Sequence, residues 1–280
     1  MMDIVNLSIR CPCLIRGLAG LSLLAAAGPL FAGEATNRIF AVRAEAEWHR
    51  AQMQFQRSTN DGAAAWQLAR ACFEFNDFAT NNAGRAEFAG EGIAACRQLL
   101  ARETNSAPGH YYLALELGLL ADTKRNLAAF KLVREMEHEL KTADELDAQL
   151  DNAGPARCLG LLYRDAPGWP VSIGSRHKAR EWLERAVKLA PDCPENRLNL
   201  AESYWQWKDH AAAREALKTL EALWPAARTH FTGEAWERNW DDWSSRREVL
   251  REKLGKPGEG LAPARPLKRV PGNAPPADSQ

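Results

Sequence analysis

Pro191 and Pro225 stand 34 positions apart, and the segment "PENRLNLAESYWQWKDHAAAREALKTLEALWP" that ends at the second proline constrains the fold more than any other part of the chain. Leu200, Ala201 and Tyr204 share one helical face, and Ala213, Leu217 and Leu220 share another. Ala201 and Ala213 are small enough for two antiparallel helices to approach closely, with Tyr204 filling the gap between them. Pro225 lacks the next N–H donor and is expected to end the second helix.

The same grammar recurs upstream. "RCLGLLYR" supplies Leu159, Gly160 and Tyr163, and "KAREWLERAVKLAP" supplies Ala179, Leu183 and Ala186. "HYYLALELG" supplies Leu113 and Ala114 ahead of a long second helix with Ala143 near its end, and "AWQLARACF" with Leu68, Ala69 and Cys72 partners "GIAACRQLLA". These make four helix pairs, none able to bury its apolar face without a neighbour. The period and spelling resemble the tetratricopeptide repeat. The expected fold is all-α: an α-solenoid of tetratricopeptide-like helix pairs over residues 33–254. A leading helix over Asn37–Asn60 contains Trp48. A closing helix over Gly233–Leu254 carries Trp236, Trp240, Trp243, Leu250 and Leu254 on one stripe. In residues 255–280, 10 of 26 positions are proline or glycine, the composition of a disordered tail.

The N-terminus reads as an address. Arg10 and Arg16 precede "GLAGLSLLAAAGPLFAG", 17 uncharged residues interrupted by Pro29, which is short and poorly capped for a spanning helix. The expectation is a cleaved secretory signal over residues 1–32, cut after Ala27 or Ala32, with an uncleaved anchor as the alternative. The protein would then be periplasmic or secreted. Cys11 and Cys13 would leave with the signal, so Cys72, Cys96, Cys158 and Cys193 remain. Three full disulfide pairings are open to four cysteines. All four sit where such repeats place small core or turn residues, which favours buried thiols. Lysine plus arginine equals aspartate plus glutamate at 36 each, so no global field recruits nucleic acid.

One segment departs from the repeat. Tyr204 and Ala213 are nine residues apart, whereas Tyr163 and Ala179 are sixteen apart, and the surplus lies in "DAPGWPVSIGSRHKA", Asp165–Ala179. Ordering the insertion costs more backbone entropy than burial of one tryptophan returns, so rigidity needs Val171, Ile173 or a partner as well. Trp169, held by Pro167 and Pro170, is expected to pack on the following repeat near Trp205, with Ser175 capping the next helix. The alternative is a mobile loop.

The stretch "GPARCLGLLYRDAPGWPVSIGSRHKAREWLERAVKLAPDCPENRLNLAE", with "HYYLALELG" before it and "LWPAARTHFTGEAW" after it, resembles bacterial secreted tetratricopeptide proteins related to the T component of TRAP transporters. The resemblance covers about residues 108 to 240. It implies a periplasmic helical-repeat protein that associates with a solute-binding protein and guides an organic-acid or hydrophobic ligand. The lipid-attachment cysteine that such components often carry is missing.

Aligning the pairs directs Trp66, Phe73, Tyr111, Leu115, Leu119, Arg157, Leu161, Arg164, Leu198, Glu202 and Trp205 to the inner, concave side, which solenoids use for recognition. With Trp169 these are the candidate binding residues. Arg157 and Arg164, two helical turns apart, would suit the anionic end of a peptide or of an amphiphile with a carboxylate. Two alternatives stand beside that reading: a terminal helix fills the groove, or Arg164 pairs with Asp165 or Glu202. No catalytic residues, cofactor or metal site are expected. The six histidines form no HExxH pair, no GxSxG elbow or phosphate loop occurs, and "MEHEL" around His138 reads as a solvated acidic face. The expected function is a scaffold that holds a partner protein, with a small-ligand carrier as the alternative.

Overall fold

The computed structural model describes residues 29–124 and 127–255, with side chains from Asn37 onward. The signal reading falls on residues 1–28 outside this range and on Pro29–Ala32 at its edge; the tail reading falls outside it from residue 256. Ten helices follow one another among the described residues: α1 (Pro29–Arg57), α2 (Gly62–Asn76), α3 (Asn82–Leu100), α4 (Ala107–Thr123), α5 (Ala128–Leu146), α6 (Leu150–Asp165), α7 (Arg176–Leu189), α8 (Pro194–Gln206), α9 (His210–His230) and α10 (Glu234–Gly255). α2/α3, α4/α5, α6/α7 and α8/α9 are the four expected pairs, α1 leads them and α10 closes them. No described helix is long and apolar enough to cross a membrane.

Local chemistry sets the boundaries. Asp61, Asn81, Ser106, Ser175 and Asp209 each accept a hydrogen bond from a backbone N–H of the helix that follows, satisfying a donor that the first turn leaves free. Within the pairs, Ala69, Ala114 and Ala201 on the first helices and Ala89, Ala179 and Ala213 on the second are fully buried. At Gly160 the approach is tighter still. A Cβ there would lie 2.6 Å from Leu183 Cγ and 3.0 Å from its backbone nitrogen, so α6 and α7 pack more closely than alanine would permit.

Successive pairs are joined by a recurring clasp. Tyr204 of α8 donates to Glu184 of α7 at 2.8 Å, and Glu184 also pairs with Arg180 one turn away at 3.1 Å. One pair earlier, Tyr163 of α6 donates to Glu137 of α5, which pairs with Lys141 at 2.6 Å. The leading helix is tied by another carboxylate: Glu91 of α3 accepts from Trp48 at 2.9 Å and from Gln52 at 2.7 Å. Cys72, Cys96, Cys158 and Cys193 are all free, buried thiols.

Pro225 does not end its helix. α9 runs through it to His230, because the apolar face continues beyond the proline through Ala227 to Phe231, both buried, and outweighs the one missing backbone bond. That face meets α10 in a nest of rings. Trp224 and Trp240 lie edge to face at 5.1 Å, Trp240 and Trp243 at 5.0 Å, and Trp240 Nε1 donates to the Phe231 carbonyl at 2.7 Å. The tryptophan stripe therefore caps the array.

Candidate interaction surface

α10 does more than cap. Arg246 reaches α8, where it donates to Glu202 at 3.0 and 2.7 Å and to Asn199 at 2.5 Å. Arg238 reaches the far end of the array, donating to Asp77 at 2.5 Å and lying over the Phe78 ring at 4.8 Å. Arg43 of α1 meets Glu234 at 2.8 Å and Glu237 at 2.7 Å. α10 thus packs on α8 and α9 and reaches the α1–α2 end through Arg238 and through Arg43, so Glu202, one of the expected groove residues, is already engaged by a terminal helix. Burial outweighs Arg238 at Asp77 and pushes its carboxyl up to about 6.

The inner side is also less open than the repeat spelling suggested. Tyr111, Leu115, Leu119, Leu161 and Leu198 are buried in the continuous core and present no wall to a ligand. Their faces point between neighbouring helices, a register that periodicity alone does not separate from the concave one. Arg157 is 3% exposed. It donates to Asp151 at 2.7 Å, to Asn196 at 3.1 Å and to the carbonyls of Asp151 and Asn152 at 3.2 and 3.4 Å, with Glu195 at 3.8 Å. Burial alone would lower this guanidinium, but Glu195 and Asp151 hold it above its ordinary range. Arg164 forks onto Asp165 at 2.7 and 2.8 Å and donates to Ser203 at 3.1 Å. Both arginines are engaged within the fold, so the reading of them as open anion receptors is corrected.

The Arg157 network surrounds a feature that sequence reasoning missed. Asp151, Asn152 and Ala153 occupy the left-handed region in succession, with φ of 50°, 53° and 64°, before the right-handed part of α6. Aspartate and asparagine tolerate this conformation better than other side chains, and each such residue still costs about 1–2 kcal/mol. Asn196 of α8 helps hold the turn through the Asn152 carbonyl at 2.9 Å, and Tyr111 donates to Asp151 at 2.7 Å. The legible signal was the run Asp-Asn-Ala-Gly-Pro over Asp151–Pro155.

What stays accessible is aromatic. Trp66 of α2 and Tyr112 of α4, both half-buried, stack at 5.8 Å with planes 7° apart. Arg70 lies beside them, paired with Glu74 at 2.8 Å, and both Tyr112 and Asp151 add to the field that raises its pKa after Glu74. Phe73 is half-buried against the core, and Trp205 sits against His210 at 4.5 Å. Trp169 is the second correction. It is 89% exposed and packs on no neighbouring repeat, because the inserted loop closes through its backbone instead. Gly174 N donates to Pro167 O at 2.9 Å, Ser175 N to Tyr163 O at 2.8 Å, and Val171 N and Ser172 N to Gly168 O at 3.1 and 3.2 Å. Ser175 does cap α7, as expected. Among the described residues no cluster of three or more His, Cys, Asp or Glu side chains is arranged to hold a metal.

The family model of the tetratricopeptide repeat matches residues 194–223, which span α8 and the first two-thirds of α9. The chain is also similar in structure to the crystal structure of a thermophilic TPR protein of Thermus thermophilus, with a TM-score of 0.53 and 19% identity over 79% of this chain and 96% of that one. The fold is a tetratricopeptide solenoid. No curated protein sequence matches the chain. In this solenoid the half-buried stack of Trp66 on Tyr112 lies on the first helices of the first two pairs.

Proposed function

We propose that the chain is a non-catalytic scaffold that holds a partner protein on the inner side of its solenoid, with the Trp66–Tyr112 stack and Arg70 as the docking patch. The observation that carries this reading is the stack itself: two aromatic rings from neighbouring pairs, prealigned and half open, offer contact area at little cost in conformational entropy. The N-terminal charge and length pattern supports a periplasmic or extracellular location. The resemblance to TRAP T components supports a solute-binding protein as the partner. A carrier of organic acids or amphiphiles has less to rest on, since its two arginines are engaged and its apolar wall is packed.

Calorimetric titration of the purified protein with a solute-binding protein tests the reading, for the parent and for Trp66→Ala/Tyr112→Ala. An affinity at least tenfold weaker in the double variant, with unchanged helical content, is the expected result. Equal affinities would move the docking patch elsewhere, and no binding by the parent would remove this partner class. N-terminal sequencing of the protein recovered from cells tests the address.

A further inference from the structure

The inserted loop between α6 and α7 is a rigid support for an apolar tip. Its base is fixed by the four backbone bonds already described, Ile173 rests on the core, and a Cβ on Gly174 would lie 2.0 Å from the Ala166 carbonyl oxygen. Its tip turns away from the protein: Trp169 is almost fully exposed, and Pro170 and Val171 beside it are exposed too. A tryptophan left in water on a loop held this firmly has no role in the packing of its own chain.

The surroundings of the tip are basic. Arg176, His177 and Lys178 follow in the first turn of α7, and Lys208 stands at the turn between α8 and α9; all four are exposed. Arg176 lies over the Trp207 ring at 5.3 Å and Lys178 over Tyr163 at 5.0 Å, which fixes the cations beside the loop. The nearby acids are largely committed. Asp165 holds Arg164, Glu184 holds Tyr204 and Arg180, Asp209 caps α9, and Glu181 lies 3.4 Å from His177. Antiparallel pairing brings the α4–α5 turn to the same edge of the array, where Leu127 is 79% exposed and Lys124 is exposed.

We propose that this edge docks on an anionic phospholipid surface, with Trp169 and Val171 entering the interfacial layer and Arg176, Lys178 and Lys208 meeting the headgroups. Tryptophan favours the boundary between acyl chain and headgroup, where its apolar body and N–H are both satisfied. Basic side chains beside it supply the second, electrostatic contribution that a single apolar anchor needs.

Flotation of the full chain with phosphatidylcholine vesicles, with and without about one-third phosphatidylglycerol, tests the proposal at low and high salt. The expected result is binding to the anionic vesicles that falls at least fivefold in Trp169→Ala and in Arg176→Glu/Lys178→Glu, and falls again with salt. Residues 17–33 could carry the chain to vesicles by themselves, so a second measurement reads the loop directly. A polarity-sensitive fluorophore on Val171→Cys, in a Cys11→Ser/Cys13→Ser background, should shift to the blue on anionic vesicles and stay unshifted on neutral ones. An unshifted fluorophore on both overturns the proposal. So does a Trp169→Ala variant that floats like the parent, or one that loses only a protein partner.

Discussion

The Tyr204 hydroxyl donates to Glu184 at 2.8 Å across the junction between the third and fourth helix pairs. Burial first, and Glu184 second, hold that phenol above its ordinary pKa, so the proton stays on tyrosine as the bond requires. Tyr204→Phe removes the donor and keeps the ring. It should cost about 1 kcal/mol, less than is usual for a hydrogen bond to a charged group because Glu184 is half open to solvent. Urea unfolding checks this, and Glu184→Gln, which keeps an acceptor for the intact Tyr204 hydroxyl, should cost less than Tyr204→Phe.

Arg157→Ala should be among the most damaging substitutions in the chain, at about 3–5 kcal/mol, because it strips a buried cation from the carboxylates of Asp151 and Glu195 and frees a left-handed turn that the guanidinium holds. An Arg157→Ala protein that melts with the parent would show that the turn holds without the guanidinium.

Trp169→Ala and Gly174→Ala should behave in opposite ways to what side-chain size suggests. The tryptophan is exposed, and its loss should change stability by less than about 0.5 kcal/mol. The glycine has no room for a methyl group and should cost about 3 kcal/mol or more. Thermal unfolding of the two variants side by side decides it.

Glu116 of α4 is fully buried, and neither carboxylate oxygen has a hydrogen-bond partner. Burial, with Glu91 adding to it, raises its pKa well above the ordinary 4.5, and the thiols of Cys72 and Cys96 lie close enough to feel its charge. The folded state thus holds this proton more tightly than the unfolded chain. Stability should rise as pH falls through the raised folded value, and the gain should be complete near pH 4.5. Glu116→Gln should flatten that part of the profile, and Glu116→Met should stabilise the protein at pH 7 by about 1–3 kcal/mol. Melting curves from pH 7 to pH 4.5 test both.

The pairs were legible because close helix packing demands small residues at fixed spacing, and Ala69, Ala114, Gly160 and Ala201 announce it. The groove was less so. Leu115, Leu161 and Leu198 lie on first helices, yet whether such a residue faces a neighbour or the concave side depends on twist between pairs, which the spacing does not encode. Trp169 was misread for a different reason: hydrophobicity predicts burial, but the loop is closed by backbone bonds that leave no trace in side-chain type. Pro225 shows the converse, a strong local breaker overridden by rings packed on both sides of it.

The grip of α10 on both ends of the array changes how the protein should come apart. A linear stack of repeats frays from whichever end is weaker, each unit leaving with only its nearest neighbour. Here Arg238 on Asp77 and Arg43 on Glu234 and Glu237 join the last helix to the first. Amide exchange at the C-terminal end of α2 should therefore quicken in Arg238→Ala, whereas the open Arg43 pairs should add little to the tie.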